Sequence, residues 1–216
     1  MTKNKIQIAI LAGIASLSVS SARADIALGV DFAPGSASEG VGSSWTLGYE
    51  FQVTSTVTVI GLATFDANGP DGLLSSPVPV GLWADGGALL ASATIPTGTL
   101  DVGLGSFAGV SIAPVTLTPG YYDVGSYDAG NDYAYSPISY TIAPGITLVD
   151  DRYSDSGEGF NYPEITENYI SGGNGPAWLG GNIIVETPEP SQVVSGLVLA
   201  GLGGLSLLKR RLRSRQ

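Results

Sequence analysis

The sequence predicts an all-β domain, an antiparallel β-sandwich of jelly-roll-like design, flanked by an N-terminal signal peptide and a short C-terminal transmembrane helix. Three observations predict it. The stretch 25–187 is rich in Gly, Thr, Ser and Val and poor in Lys, Arg, Gln and Met, a bias toward strands and tight turns. Short runs with a two-residue apolar period recur along it, separated by Gly- and Pro-containing turns. No sustained helical period is visible outside the two ends, and the stretch is long enough for one domain with a sizeable core. A closed barrel is the alternative. The lack of an internal repeat argues against a solenoid or propeller.

The first element is the signal. Lys3 and Lys5, the apolar run 6–19 and the Ala22-Arg23-Ala24 site form a secretory signal peptide over residues 1–24, with cleavage expected before Asp25. Strands follow. In 46–53, Leu47, Tyr49, Phe51 and Val53 alternate with Thr46, Gly48, Glu50 and Gln52, so one face is buried and one solvated. A second strand covers 56–65, with a slip of phase at Ile60-Gly61 that predicts a bulge. Residues 78–84 and 88–95 read as a hairpin closed by Asp85-Gly86-Gly87. Further strands are expected at 108–112, 115–117, 121–127, 138–142, 146–153 and 182–186, with turns at Pro119-Gly120 and Pro144-Gly145. The loosest region is 154–181.

Charge is partitioned along the chain. Of nine basic residues, eight lie in the terminal segments, and 25–187 keeps Arg152 alone against eighteen acids, a net charge of −17. Such a body repels nucleic acid and anionic bilayers. The chain has no Cys and no His. Disulfides, thiolate or imidazole zinc sites, and His-based triads are therefore excluded. With no Lys in 25–187, a Lys base or Schiff base is excluded there too. The chain is accordingly expected not to be an enzyme.

The last element is the tail, 188–216. Pro188-Glu189-Pro190 precedes an apolar run, 193–208, and a basic end, 209–216. As a helix the run spans about 24 Å at 1.5 Å per residue, marginal for a bilayer core. The basic cluster is expected to stay cytoplasmic, leaving 25–187 outside.

This tripartite tail resembles the PEP-CTERM sorting signal of Gram-negative, often biofilm-forming bacteria. The resemblance implies that Pro188, Glu189 and Pro190 are a recognition motif for an exosortase-like processing enzyme, linked to exopolysaccharide production. It further implies export, transient inner-membrane anchoring through the tail helix, and residence at the cell surface or in the extracellular matrix. The stretch 25–187 is also similar to secreted β-domains found ahead of such tails, through Gly81-Leu82-Trp83-Ala84-Asp85-Gly86-Gly87 and Pro119-Gly120-Tyr121-Tyr122. That similarity implies a β-sandwich and no substrate.

Two candidate sites stand out between the ends. Asp150, Asp151, Asp155 and Glu158 form the densest run of carboxylates, the ligand type Ca²⁺ prefers, although their spacing does not fit an EF-hand. The competing reading is a solvated acidic loop balanced by Arg152. Nine of ten tyrosines lie within 121–169, and Tyr127, Tyr133 and Tyr135 are interleaved with Asp128, Asn131 and Asp132. Aromatic faces beside carboxylates and amides suit sugars, whereas the same rings also fill sandwich cores. Three functions compete: an exported, tail-sorted, non-enzymatic surface or matrix protein; a carbohydrate-binding module, Ca²⁺-assisted; and, least supported, a carboxylate-dependent glycosidase. Expected partners are the export machinery, the processing enzyme and extracellular polysaccharide. No nucleic acid is expected, and membrane only through the tail helix before processing.

Overall fold

The computed structural model describes residues 25–31, 38–41, 44–66, 74, 76–98, 105–128, 132–135, 140–155, 159–166 and 178–187. All of these belong to one compact unit, Ala24–Pro190. Ala22, Ala24, Glu158, Pro188, Glu189, Pro190 and the tail run 193–208 lie outside the described residues.

Every regular element among the described residues is a strand. The first half of the chain supplies β1 (Asp25–Leu28), β2 (Val30–Asp31), β3 (Ser38–Val41), β4 (Trp45–Val53), β5 (Val57–Phe65), β6 (Val78–Ala84) and β7 (Leu89–Ile95). The second supplies β8 (Phe107–Leu117), β9 (Gly120–Asp128), β10 (Asp132–Tyr135), β11 (Thr141–Ile142) and β12 (Ile146–Ser154). The last three are β13 (Ile165–Thr166), β14 (Trp178–Leu179) and β15 (Gly181–Thr187). All pairings are antiparallel. They build a six-stranded sheet, β13-β12-β4-β9-β6-β7, a four-stranded sheet, β1-β15-β5-β8, and two small sheets, β14-β10-β3 and β11-β2. No helix among the described residues is long and apolar enough to cross a membrane.

The chain passes between the two large sheets in matched pairs. β4 leads into β5 through 54–56, and β8 leads into β9 through 118–119. Because β4 pairs with β9 and β5 with β8, these crossings lie side by side, with Val53 opposite Gly120 and Val57 opposite Leu117. Buried residues of both sheets form one apolar cluster. Tyr49, Phe51, Leu82 and Val124 come from the larger sheet, and Val59, Leu62, Phe107 and Ile183 from the smaller.

One polar group sits inside that cluster. Asn182 on β15 is fully buried, and its Oδ1 accepts from the Tyr49 hydroxyl at 2.7 Å, from Ile183 N–H at 2.9 Å and from Val30 N–H at 3.2 Å. Its amide donates in turn to the Val30 carbonyl. The four contacts tie β4 of the larger sheet to β15 of the smaller one and to the short β2. Burial pushes the Tyr49 hydroxyl far above its ordinary pKa, so it stays a neutral donor.

Most expected strands are found within a residue or two of their expected bounds. The slip expected at Ile60 is present: the β5–β8 register jumps between Val59 and Gly61, and β15 shifts at the same place. The hairpin is found with Gly86 and Gly87 at positive φ, 92° and 93°, a conformation that other residues take only at a steric cost. Two expected strands, 108–112 and 115–117, are one. β8 runs through Pro114 because it is an edge strand, where a missing N–H removes no ladder bond, and residues 112–114 bulge opposite Ile60. The expected strand 138–142 is found only as β11, since 136–139 lie outside the described residues. The solvated face expected for β4 is in fact covered, for Thr46 and Gly48 are both buried.

Replacing Asn182 by Ala strands the Tyr49 hydroxyl and both polar groups of Val30 in an apolar interior. The expected loss is at least about 3 kcal/mol, against about 1 kcal/mol for Tyr49→Phe, which removes one donor from an acceptor that keeps two others. Urea denaturation of the two variants checks the order and the gap.

Candidate functional site

The covering of β4 marks the densest polar site among the described residues. Across the six-stranded sheet, Trp83, Asp123, Glu50 and Asp150 stand in one row of paired positions. Two residues along each strand, and therefore on the same face, lies the row Gly81, Gly125, Gly48 and Arg152. Three glycines in a row make a shallow trough. A Cβ at Gly81 would meet the Trp83 ring at 2.5 Å and Phe160 at 2.7 Å, and one at Gly125 would meet Pro163 at 3.4 Å. The segment 159–166 is the strap that fills this trough.

Arg152 fastens the strap. Its Nη2 donates to Glu50 Oε2 at 2.6 Å and its Nη1 to the Glu164 carbonyl at 3.4 Å. Its Nε lies 3.4 Å from Asp123 Oδ1, an ion pair without hydrogen-bond geometry. The other Asp123 oxygen accepts from the Tyr162 hydroxyl at 2.8 Å, and that hydroxyl oxygen accepts from Gly86 N–H at 3.3 Å. Asn161 N–H donates to Thr46 Oγ1 at 3.1 Å. Trp83 completes the seat, its ring 5.2 Å from Phe160 and 6.0 Å from Tyr162.

Burial dominates the electrostatics here. Asp123 has no exposed surface, and desolvation lifts its carboxyl to a pKa of about 6. The Tyr162 hydrogen bond and the Arg152 charge pull it down, while Glu50 and Asp85 push it up. The Tyr162 hydroxyl rises to about 12, first through burial and then through its bond to Asp123. For Arg152, burial is the largest influence and lowers the pKa. Its bond to Glu50 and the charges of Asp123 and Glu50 outweigh that, so the net shift is upward.

The sequence-derived candidates are distributed differently. Asp150 pairs with Glu50 on the strap side, whereas Asp151 pairs with core-facing Tyr49, so the two adjacent carboxylates point to opposite faces. Both are buried, while Asp155 is exposed just beyond β12. Among the described residues, no group of three or more acids stands where it could hold a metal ion. Tyr127 lies on β9, while Tyr133 and Tyr135 lie on β10 in a different sheet. All three are half-buried.

A second cluster is purely aromatic. Trp45 stacks on Tyr153 with ring centroids 5.6 Å apart, and Trp178 packs at 6.2 Å from Trp45 and 5.7 Å from Tyr153. The three rings are half-buried, and Tyr135 stands directly across the strand pair from Trp178. Elsewhere, a cleft of about 220 Å³ opens between β1 and β11, lined by Ile26, Asp31, Ile142 and Pro144 among others.

Sequence reasoning missed Glu50, Asp123, Tyr162 and Trp83 as a set. One signal was present: a lone cation among eighteen acids must choose partners, and here it chooses Glu50 and Asp123. Comparison of the chain with protein-family models, curated proteins and solved structures finds no match in any of the three.

The raised Asp123 pKa fixes a sign. Between the unfolded pKa near 4 and the folded pKa of about 6, the native state holds the extra proton, so stability falls as pH rises through that window. Asp123→Asn removes this titration, and the expected outcome is a flatter stability profile from pH 4 to 6, measured by urea midpoints. Arg152→Met leaves Glu50 and Asp123 facing each other without their cation. The expected loss is about 3 kcal/mol at pH 7 and smaller at pH 5, with faster proteolysis within 159–166.

Proposed function

We propose that this chain is an exported, tail-sorted, non-enzymatic protein of the cell surface or extracellular matrix, associated with exopolysaccharide. The observation that carries the reading is the arrangement of its ends: a signal peptide over 1–24, then Pro188-Glu189-Pro190, the apolar run 193–208 and the basic end 209–216. On this reading the tail resembles a PEP-CTERM signal, Glu189 is a processing determinant, and an exosortase-like enzyme is the partner. The fold between the ends is read as a jelly-roll-like sandwich. Support comes from the antiparallel pairing of every strand among the described residues and from the single apolar cluster that the two large sheets share. Charge is consistent with this role, because a body of net −17 stays soluble among anionic polymers and membranes.

A carbohydrate-binding role is the second reading, favoured by the Trp45, Tyr153 and Trp178 cluster with Tyr135 beside it. Clustered rings with part of their surface open suit the C–H faces of sugars. Ca²⁺ assistance through the run Asp150, Asp151, Asp155 and Glu158 belongs to the same reading, although Asp150 and Asp151 point to opposite faces of the sheet.

Mass spectrometry of the protein from its native host tests the first reading. The expected species begins at Asp25 and ends upstream of residue 193. If loss of the processing enzyme leaves size, cell fraction and release unchanged, the sorting role fails. Tryptophan fluorescence titrated with host exopolysaccharide, with and without Ca²⁺, tests the second. A saturable change lost in Trp178→Ala is expected, and flat titrations would count against it.

A further inference from the structure

A sheet edge exposes a row of unpaired backbone donors and acceptors, and a soluble protein has to keep it from recruiting other strands. The two large sheets have four edges, and three are blunted. β13 is two residues long and follows Glu164 directly. β1 is four residues long and starts with exposed Asp25. β8 carries Pro114 and the bulge opposite Ile60.

The fourth edge, β7, is different. It is seven residues long, Leu-Leu-Ala-Ser-Ala-Thr-Ile, with no charge and no proline. Leu89 and Leu90 are 53% and 40% exposed, and Ser92 and Thr94 are exposed as well. β7 pairs with β6 on one side, and no described strand pairs with the other. A register shift opposite Leu82/Trp83 disturbs only the hairpin end, so 91–95 pair regularly with β6.

We propose that β7 is a pairing edge for a second copy of this chain. Two β7 strands would join antiparallel about a two-fold axis, fusing two six-stranded sheets into one. In an antiparallel pair, facing residues share one face of the sheet, so a two-fold pairing must centre on a single residue. Centring on Ser92 overlaps the whole of Leu89–Ile95 with itself. It sets Ala91 opposite Ala93 of the other copy, and Leu90 opposite Thr94. The choice of a second copy rests on charge. A body of net −17 repels its own kind over most of its surface, yet this strand brings two copies together with no acid facing an acid.

The chain has no cysteine, so Ser92→Cys introduces a unique thiol. In the proposed pairing the two copies of residue 92 stand about 4.5–5.5 Å apart at Cα, within disulfide reach. Full-length Ser92→Cys in detergent is expected to oxidise to a covalent dimer, while Ser111→Cys, exposed on β8, forms no covalent dimer. Sedimentation of the full-length parent chain should show a dimer. Ser92→Lys or Thr94→Lys should convert it to monomer with an unchanged circular-dichroism spectrum and a thermal midpoint that no longer depends on protein concentration. A monomeric parent chain, a dimer that survives both Lys variants, or equal cross-linking through residue 111 would each overturn the proposal. Survival in both Lys variants would place the contact elsewhere, in the apolar tail for example.

Discussion

The scarcity of positive charge is the constraint from which the rest of the structure follows. Eighteen acids and one arginine occupy 25–187, so acids cannot be neutralised pair by pair across the surface. The fold spends its one cation where it counts most, on the covered face of the six-stranded sheet. There Arg152 reaches a Glu50 carboxylate, the Asp123 carboxylate and a strap carbonyl at once. Burying an ionised acid is costly without such partners, and burial raises the pKa of Asp123 even with them. Tyr162 supplies a neutral hydrogen bond to Asp123 where a second cation would otherwise be needed.

A second buried polar group solves a different problem. An apolar core sets how much surface two sheets bury but leaves their alignment loosely specified. Asn182 adds a directional requirement, because its amide must meet Tyr49 from one sheet and Val30 from a short flanking strand together. A slip of β15 by one residue would turn Asn182 to the opposite face of its sheet and leave the Tyr49 hydroxyl without its partner. The bulge that β5 and β15 share at Ile60 and Val185 fixes the same register from the neighbouring pairing. Packing and polar geometry thus select one alignment.

How much of this is legible in the sequence depends on the range of the interaction that forms each element. β4, β6 and β7 have local signals, either a two-residue alternation or a Gly-Gly turn, and sequence finds them to within a residue or so. β1, β2, β3 and β10 have none, since they are four residues or fewer and exist because a distant strand pairs with them, as Thr187 pairs with Asp25. The Asp150-Asp151 pair shows the opposite error. Adjacent in sequence, the two looked like one ligand set, but strand alternation sends one toward the core and one toward the strap. The Arg152 site was hidden for the same reason: its members come from β4, β9, β12 and the strap, and nothing local announces their meeting.

The strap resolves an apparent contradiction in the composition. A region rich in Gly, Asn, Pro and acids reads as loose, yet 159–166 lies over the sheet and carries Phe160, Tyr162 and Pro163 onto it. Gly81 and Gly125 explain how, since a Cβ at the first would meet Phe160 and one at the second Pro163. Glycine in mid-strand forgoes a side chain that could pack, and here that omission makes room for side chains from elsewhere in the chain. The larger sheet is thereby covered on both faces along its centre, while its β7 end keeps exposed Leu89 and Leu90 beyond the strap. Coverage at the centre and exposure at one margin follow from the same economy of charge, because a sheet with a single arginine can pin one strap. Its β7 margin carries no charge, so two such strands would set no acid against an acid although the bodies around them repel.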